Sequence, residues 1–213
     1  MAKSIEMMWK KGFVKEAHLT VPKINDLYNR KSQNIVDKLM SMFSINIKAV
    51  MIGGLVMLGM MSLIGAPFLG LYICCLLIPL IILSNSEIKK SVNLSKGQSS
   101  YDYLMSFDKW LKSSIETYSG YYRVFYPMLF LGMATQGIVS EAGGKLISML
   151  VEVFPTDLVL LGQPYYLLAT ITVLTLIIMR YSTALYHWDI NIVYGRQFNK
   201  LEELIADMEE LRK

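Results

Sequence analysis

Few residues of this chain could do chemistry, and their spacing gives them no shared site. His187 and Asp189 flank a tryptophan and have the side chains that acid–base or metal chemistry uses. Near neighbours on one helix do not converge on one point, however, and a metal site usually needs three or four ligands. The only other histidine is His18. We therefore expect His187 and Asp189 to anchor or pack the chain.

The two cysteines, Cys74 and Cys75, are adjacent within an apolar stretch. Consecutive residues of a helix point to different faces, so we expect both to act as small apolar packing residues. The sequence contains no CxxC, HExxH, GxSxG, GxGxxG or Walker-type glycine loop. We find no nucleophile with an identifiable base, and we predict a protein that is not an enzyme and uses no metal or cofactor.

The longest uncharged run of the sequence predicts membrane-spanning helices. Residues Ala49 to Ser86 include no Asp, Glu, Lys, Arg or His. Because roughly 20 apolar residues cross a bilayer once, this run is long enough for two crossings. Gly65, Ala66 and Pro67 interrupt it near the middle, and glycine and proline favour a turn there. The run predicts a transmembrane hairpin over residues 45–84.

Two further uncharged runs follow, at residues 124–140 and 158–179. The second is long enough to span a membrane, and Tyr121 and Tyr122 extend the first while Arg123 reaches toward the interface. They predict a second hairpin over residues 121–180, with a short outer connection at 141–157. The predicted fold is all-α: an integral membrane protein with four transmembrane helices as two hairpins, joined by cytoplasmic amphipathic helices.

Lysine and arginine are unevenly distributed along the chain. Residues 1–48 hold nine of them, residues 87–123 hold six and residues 180–213 hold five, whereas the outer connection holds only Lys145. The positive-inside rule then predicts both termini and the central segment in the cytoplasm of a bacterial inner membrane. The net charge of +4 reflects this topology and attraction to membrane lipid. Basic residues are mixed with acidic ones, so we expect no direct nucleic-acid binding.

The cytoplasmic segments at residues 1–44, 85–120 and 181–213 have the apolar spacing of amphipathic helices. In the C-terminal segment this spacing forms a seam of the kind that packs against another helix. The sequence leaves open whether these helices pack on each other or wait for a partner. The candidate partner-binding residues are Trp9, Phe13, Leu27, Leu201, Leu204, Met208 and Leu211.

Four stretches of the chain resemble an uncharacterised family of bacterial four-span inner-membrane proteins. They are MMWKKGF (7–13), VPKINDLYNRKSQNIVDKL (21–39), YDYLMSFDKWLK (101–112) and WDINIVYGRQFNKLEELIADMEELR (188–212). Members of that family are often encoded beside a sigma factor of the extracytoplasmic-function type. The resemblance implies, by association, a membrane-bound anti-sigma or accessory role, with a sigma factor as partner. It implies no residue-level functional site. Typical membrane anti-sigma factors have one span and a large outer sensor domain, and this chain departs from that pattern.

Three functions remain open at this point. The first is a non-enzymatic membrane regulator or interaction protein that uses its cytoplasmic helices, such as an anti-sigma factor. The second is a small transporter or channel, or an auxiliary subunit of one, with a path lined by Gln136, Gln163 or the threonines of the last span. The third is a structural homo-oligomer built on the C-terminal seam.

Overall fold

The computed structural model describes residues 20–92, 94, 99–210 and 212, with side chains from residue 28 onward except that of Val92. Within these ranges the chain is almost entirely helical, which confirms the all-α prediction. The helices are α1 (Thr20–Leu63), α2 (Pro67–Val92), α3 (Ser100–Val139), α4 (Glu141–Val153) and α5 (Tyr165–Glu210). A two-residue ladder pairs β1 (Val159–Leu160) with β2 (Gln163–Pro164) in antiparallel orientation.

The turn predicted at Gly65–Pro67 is where α1 ends and α2 begins. Gly65 has a φ of 81°, a left-handed conformation that glycine adopts without a steric penalty. The amide of Gly65 donates to the carbonyl of Ser62, and that of Ala66 donates to the carbonyl of Met61. These two bonds form a Schellman motif, which satisfies the last carbonyls of α1. Pro67 then starts α2, where its missing N–H costs no hydrogen bond.

Past this turn, α2 runs back along α1 at close range. A Cβ added at Gly70 of α2 would lie 3.0 Å from the Cα of Leu58 in α1, so the missing side chain allows the two backbones to approach. The thiol of Cys74 lies 3.4 Å from the carbonyl oxygen of Gly54. Cys74 therefore lies in the packed contact between α1 and α2, the position expected of an apolar packing residue, whereas Cys75 is exposed.

The polar connection between α2 and α3 ends at a side-chain cap on the first turn of α3. The hydroxyl of Ser99 accepts a hydrogen bond of 3.2 Å from the amide of Asp102, which satisfies one free donor in the first turn of α3. Ser140 caps α4 in the same way by accepting from the amide of Gly143 at 3.0 Å. These two capping serines explain why α3 and α4 begin where they do.

The last long helix begins later than the sequence indicates. We expected the final span to start at Leu158, but α5 starts at Tyr165. The intervening residues form the β1–β2 ladder around Leu161 and Gly162, whose φ angles are 51° and 76°. Positive φ at both central residues is the signature of a type I′ turn. Residues 159–164 belong to this small hairpin, so α5 begins only after it.

Three helices of the described chain are long and apolar enough to cross a membrane: α1 from Tyr28, α2 to Ser91, and α5. Large apolar side chains stand exposed along them, including Leu63 (89%) and Phe68 (83%). Exposure on this scale requires an apolar environment, so the chain has the character of a membrane protein. The remaining predicted span, at residues 121–140 in α3, is not among these three and stays a prediction.

At their polar ends α1, α3 and α5 share one hydrophobic core. Its fully buried members come from all three helices, and partly buried residues such as Phe43, Phe198 and Met208 pack around it. The buried residues are Val36, Leu39, Leu104, Phe107, Leu111, Tyr194, Leu201 and Leu204. Within the described residues the amphipathic helices therefore pack on each other.

Candidate ligand pocket at the four-helix junction

A cavity of about 200 Å³ lies where the apolar parts of the four long helices meet the shared core. Each long helix contributes to its wall: α1 through Asn46 and Ile47, α2 through Ser84 and Glu87, α3 from Trp110 to Tyr122, and α5 from Tyr186 to Tyr194. The cavity is partly open to the surroundings. It combines apolar surface with a few polar groups, which is the usual composition of a small-molecule site.

The carboxylate of Glu87 is the most constrained polar group in this wall. The residue is only 4% exposed. Its Oε1 accepts from the ammonium of Lys90 at 2.6 Å, and its Oε2 accepts from the hydroxyl of Ser114 in α3 at 2.7 Å. A buried carboxylate requires such partners because desolvation otherwise disfavours its charge. The Lys90 side chain itself is 62% exposed, so its ammonium reaches Glu87 from the solvent side.

Two polar atoms of the wall have no hydrogen-bond partner among the described residues. They are Nε1 of Trp110 and Oη of Tyr194, both buried. Glu87 lies near Trp110 and Asn46 lies near Tyr194, although neither pair has hydrogen-bond geometry. A buried donor without a partner costs about 1–3 kcal/mol, so each of these atoms needs a reason to be there. For Trp110 the nearby Glu87 carboxylate is the available acceptor, and for Tyr194 a ligand inside the cavity would supply a partner.

Aromatic rings from three helices surround the cavity. Tyr122 of α3 stacks on Tyr186 of α5, with ring centroids 4.7 Å apart and planes 19° apart. Phe43 of α1 packs against Tyr194 at 4.7 Å, and its other neighbour is Trp110 at 6.2 Å. These contacts tie α1, α3 and α5 together around the pocket, and their geometry is that of favourable aromatic pairs.

The charge of the wall is negative. Glu87 and Asp189 both line the cavity, and among the described residues that line it none is Lys, Arg or His. Asp189 is exposed and forms no salt bridge within the described part of the chain. The site therefore has two carboxylates. That of Glu87 is paired with Lys90, and that of Asp189 has no ion-pair partner among the described residues.

The predicted partner-binding residues that the structure describes lie outside this pocket. Leu201 and Leu204 are buried in the shared core, and Met208 packs against it. The C-terminal seam is thus in contact with helices of the same chain. Trp9, Phe13 and Leu211 lie outside the described residues, as does the side chain of Leu27. Of the predicted contact residues that the structure describes, Leu201, Leu204 and Met208 do not line the cavity.

The residues predicted for a solute path are also separate from this pocket. The hydroxyls of Thr170, Thr172 and Thr175 each donate to the carbonyl four residues earlier in α5. Oε1 of Gln163 is buried without a partner in the described chain, but it lies in β2, away from the four-helix junction. His187 and Trp188 are exposed on α5, next to the cavity residue Tyr186.

Sequence reasoning missed most of the pocket. Glu87 is the first charged residue after the long uncharged run, and that position alone marks it as lying at the end of a span. Tyr118 and Tyr122 of α3 both line the cavity. The stacking of Tyr122 on Tyr186, which lies more than 60 residues later in the chain, has no local signal in the sequence.

No protein-family model, no curated protein and no solved structure matches the chain.

Proposed function

We propose that this chain is a non-enzymatic regulatory or interaction protein of the bacterial inner membrane. It has four spans arranged as two hairpins, with both termini in the cytoplasm. The observation that supports this best is the continuity of α1, α3 and α5: their polar ends share one core, while α1 and α5 expose apolar side chains elsewhere. Because packed helices move as units, a change among the spans would reach the cytoplasmic bundle.

The fourth span we propose is the second half of α3. Its large side chains Val124, Met128, Met133 and Val139 are exposed, as are those of the three apolar helices. Beside it, α3 packs along α5 and also against α2. A span there places every strongly basic segment on one side of the membrane, as the positive-inside rule requires.

Labelling of single cysteines tests this topology. Cys74 and Cys75 are first replaced by alanine, and cysteine is then introduced at Lys145 or at Lys200. The proposal expects a membrane-impermeant thiol reagent to label position 145 in intact cells, and position 200 only after the cells are opened. Labelling of both positions in intact cells would contradict the four-span arrangement.

The partner we propose for the cytoplasmic bundle is a sigma factor. Leu201, Leu204 and Met208 are occupied within the shared core and would reach a partner only if the bundle opened. The apolar face that contains Trp9 and Phe13 is therefore the first contact surface to test.

Affinity capture from native membranes in mild detergent provides that test. Trp9→Ala and Phe13→Ala should each lower recovery of a sigma factor several-fold, while the amount of protein in the membrane stays the same. Trp188→Ala is the matched control, since Trp188 is an exposed tryptophan of α5. Unchanged recovery in both N-terminal variants would reject this surface, and recovery of membrane subunits alone would reject the sigma-factor partner.

A second candidate function is a small transporter or an auxiliary subunit, and the cavity between the four helices is the observation that favours it. It predicts a water-filled path that includes the cavity, so a cysteine placed at the buried cavity residue Ser84 should react with water-soluble thiol reagents, as should cysteines at Gln136 and Gln163. Protection of all three positions would remove the path that this hypothesis requires.

A further inference from the structure

We propose that the cavity at the four-helix junction binds a small organic cation, an alkyl- or benzyl-ammonium group. This inference goes beyond the regulatory function proposed above and does not depend on which protein the bundle contacts. It rests on four features of the cavity: its volume, the negative charge of its wall, its aromatic rings and a buried hydroxyl that has no partner among the described residues.

The volume suits a small molecule better than a single water or metal ion. An apolar cavity of about 150 Å³ accommodates a ligand the size of benzene, and this cavity measures about 200 Å³. Isoleucine, leucine and valine side chains from α1, α2 and α5 cover much of the wall. The occupant should therefore carry apolar carbon as well as a polar group.

The charge of the wall selects a cation. The two acidic residues that line the cavity are Glu87 of α2 and Asp189 of α5, so carboxylates enter the wall from two helices. Lys90 is the internal partner of Glu87, but its side chain is largely exposed and it holds the carboxylate through Oε1 alone. An incoming ammonium group can take the place of Lys90 while Ser114 keeps Oε2.

Aromatic residues make the site suitable for an organic ammonium rather than a strongly hydrated metal ion. Six of the lining residues are aromatic: Phe43, Trp110, Tyr118, Tyr122, Tyr186 and Tyr194. Rings of this kind attract organic cations through their electron-rich faces, and tryptophan does so best. No group of three or more His, Cys, Asp or Glu side chains that could hold a metal occurs within the described residues.

Tyr194 supplies a separate indication of a ligand. It is 3% exposed, it lines the cavity, and its hydroxyl has no partner in the described chain. A tyrosine with only a packing role would be improved by loss of that hydroxyl, because a buried polar atom without any partner is costly. Its oxygen can accept a hydrogen bond from an ammonium N–H.

Titration calorimetry on the full chain in dodecyl maltoside tests the proposal, with benzylammonium as the probe. Ethylbenzene is its uncharged counterpart of the same shape. The cation should bind at least about tenfold more tightly than the neutral compound, the size of a desolvated cation–π and charge contribution. Equal affinity for the two compounds, or binding of neither, would overturn the proposal.

Three variants assign the interaction to residues. Glu87→Gln keeps an acceptor for Ser114 and removes the charge, so it should weaken cation binding by roughly tenfold. Tyr194→Phe should weaken binding while leaving the protein as stable as before or more so, an outcome that a purely structural hydroxyl would not give. Glu116→Gln is the charge-matched control on an exposed face of α3. If it weakens binding as much as Glu87→Gln, the effect is long-range and the site assignment is wrong.

The cation could be a free amine or the headgroup of a lipid, and native mass spectrometry separates these sources. The protein is incubated with phosphatidylethanolamine or with phosphatidylglycerol at equal concentration. Preferential retention of phosphatidylethanolamine, lost in Glu87→Gln, supports a lipid headgroup in the pocket. Equal retention of both lipids, together with tight binding of benzylammonium, supports a free organic cation. Failure of both arms rejects the ammonium site and leaves the capture experiment above unaffected.

Discussion

The hydroxyl of Ser114 donates a hydrogen bond of 2.7 Å to Oε2 of Glu87, and this buried contact joins the middle of α3 to the last turns of α2. Both residues are almost fully buried, at the boundary between the apolar part of α2 and the shared core. This hydrogen bond therefore holds α2 against α3 in the pocket wall, whether or not a ligand is bound.

Ser114→Ala should lower the free energy of unfolding by about 1–3 kcal/mol, because it leaves one oxygen of a buried carboxylate without its partner. Titration of the purified protein with sodium dodecyl sulfate measures the change. Ser113→Ala is the matched control, since Ser113 is the exposed neighbour on the same helix. Equal losses for the two variants would show that helix propensity, and not the contact with Glu87, is responsible.

The seam of α5 gives a second prediction, because Leu201 is 1% exposed in the shared core. Leu201→Ala should destabilise the chain by about 2–5 kcal/mol through lost burial and the cavity that remains. Ile192→Ala removes comparable apolar volume from an exposed position of the same helix and should cost far less. A protein that keeps its stability in Leu201→Ala but changes its oligomeric state would instead favour the seam as an interface between copies.

Helix ends can be predicted from the sequence, whereas contacts between helices cannot. Apolar runs and turn residues are local signals, so the ends of α1 and α2 around Gly65 follow from the sequence alone. The spacing of Leu201, Leu204 and Met208 predicts that this face of α5 packs against another helix. It does not predict whether that helix belongs to the same chain, as it does here, or to a partner. Glu87 and Ser114 meet only after α2 and α3 pack, and no periodicity encodes such a contact between helices.

The turn between α1 and α2 gives a third prediction. Gly65→Ala should destabilise the protein by about 1–2 kcal/mol, because residues with a Cβ pay that cost at a φ of 81°. Gly59→Ala is the natural control: Gly59 lies inside α1 and an added Cβ there meets no atom within 4 Å among those described. That variant should be neutral or gain up to about 1 kcal/mol, since alanine is the better helix former. Thermal unfolding in detergent distinguishes the two, and a loss in both would locate the effect in the helix rather than in the turn.

The contact of Gly132 with Tyr72 gives the last prediction, and it concerns the packing of α2 against α3. A Cβ added at Gly132 would overlap the ring of Tyr72. That ring cannot move aside freely, because the Tyr72 hydroxyl donates a 2.9 Å hydrogen bond to the carbonyl of Met128. Gly132→Ala should therefore cost about 1–3 kcal/mol of stability, the usual penalty of overpacking.

Gly137→Ala is the control for this substitution, because a Cβ at Gly137 of the same helix meets no described atom within 4 Å. The double variant with Tyr72→Ala gives the decisive comparison. Once the ring is gone, Gly132→Ala should cost nothing and should even stabilise α3 slightly, because alanine favours helix. If the penalty persists without Tyr72, the two residues do not contact each other and α2 and α3 pack through some other surface. That result would also undermine the pocket, since α2 and α3 together supply Glu87 and its partner Ser114.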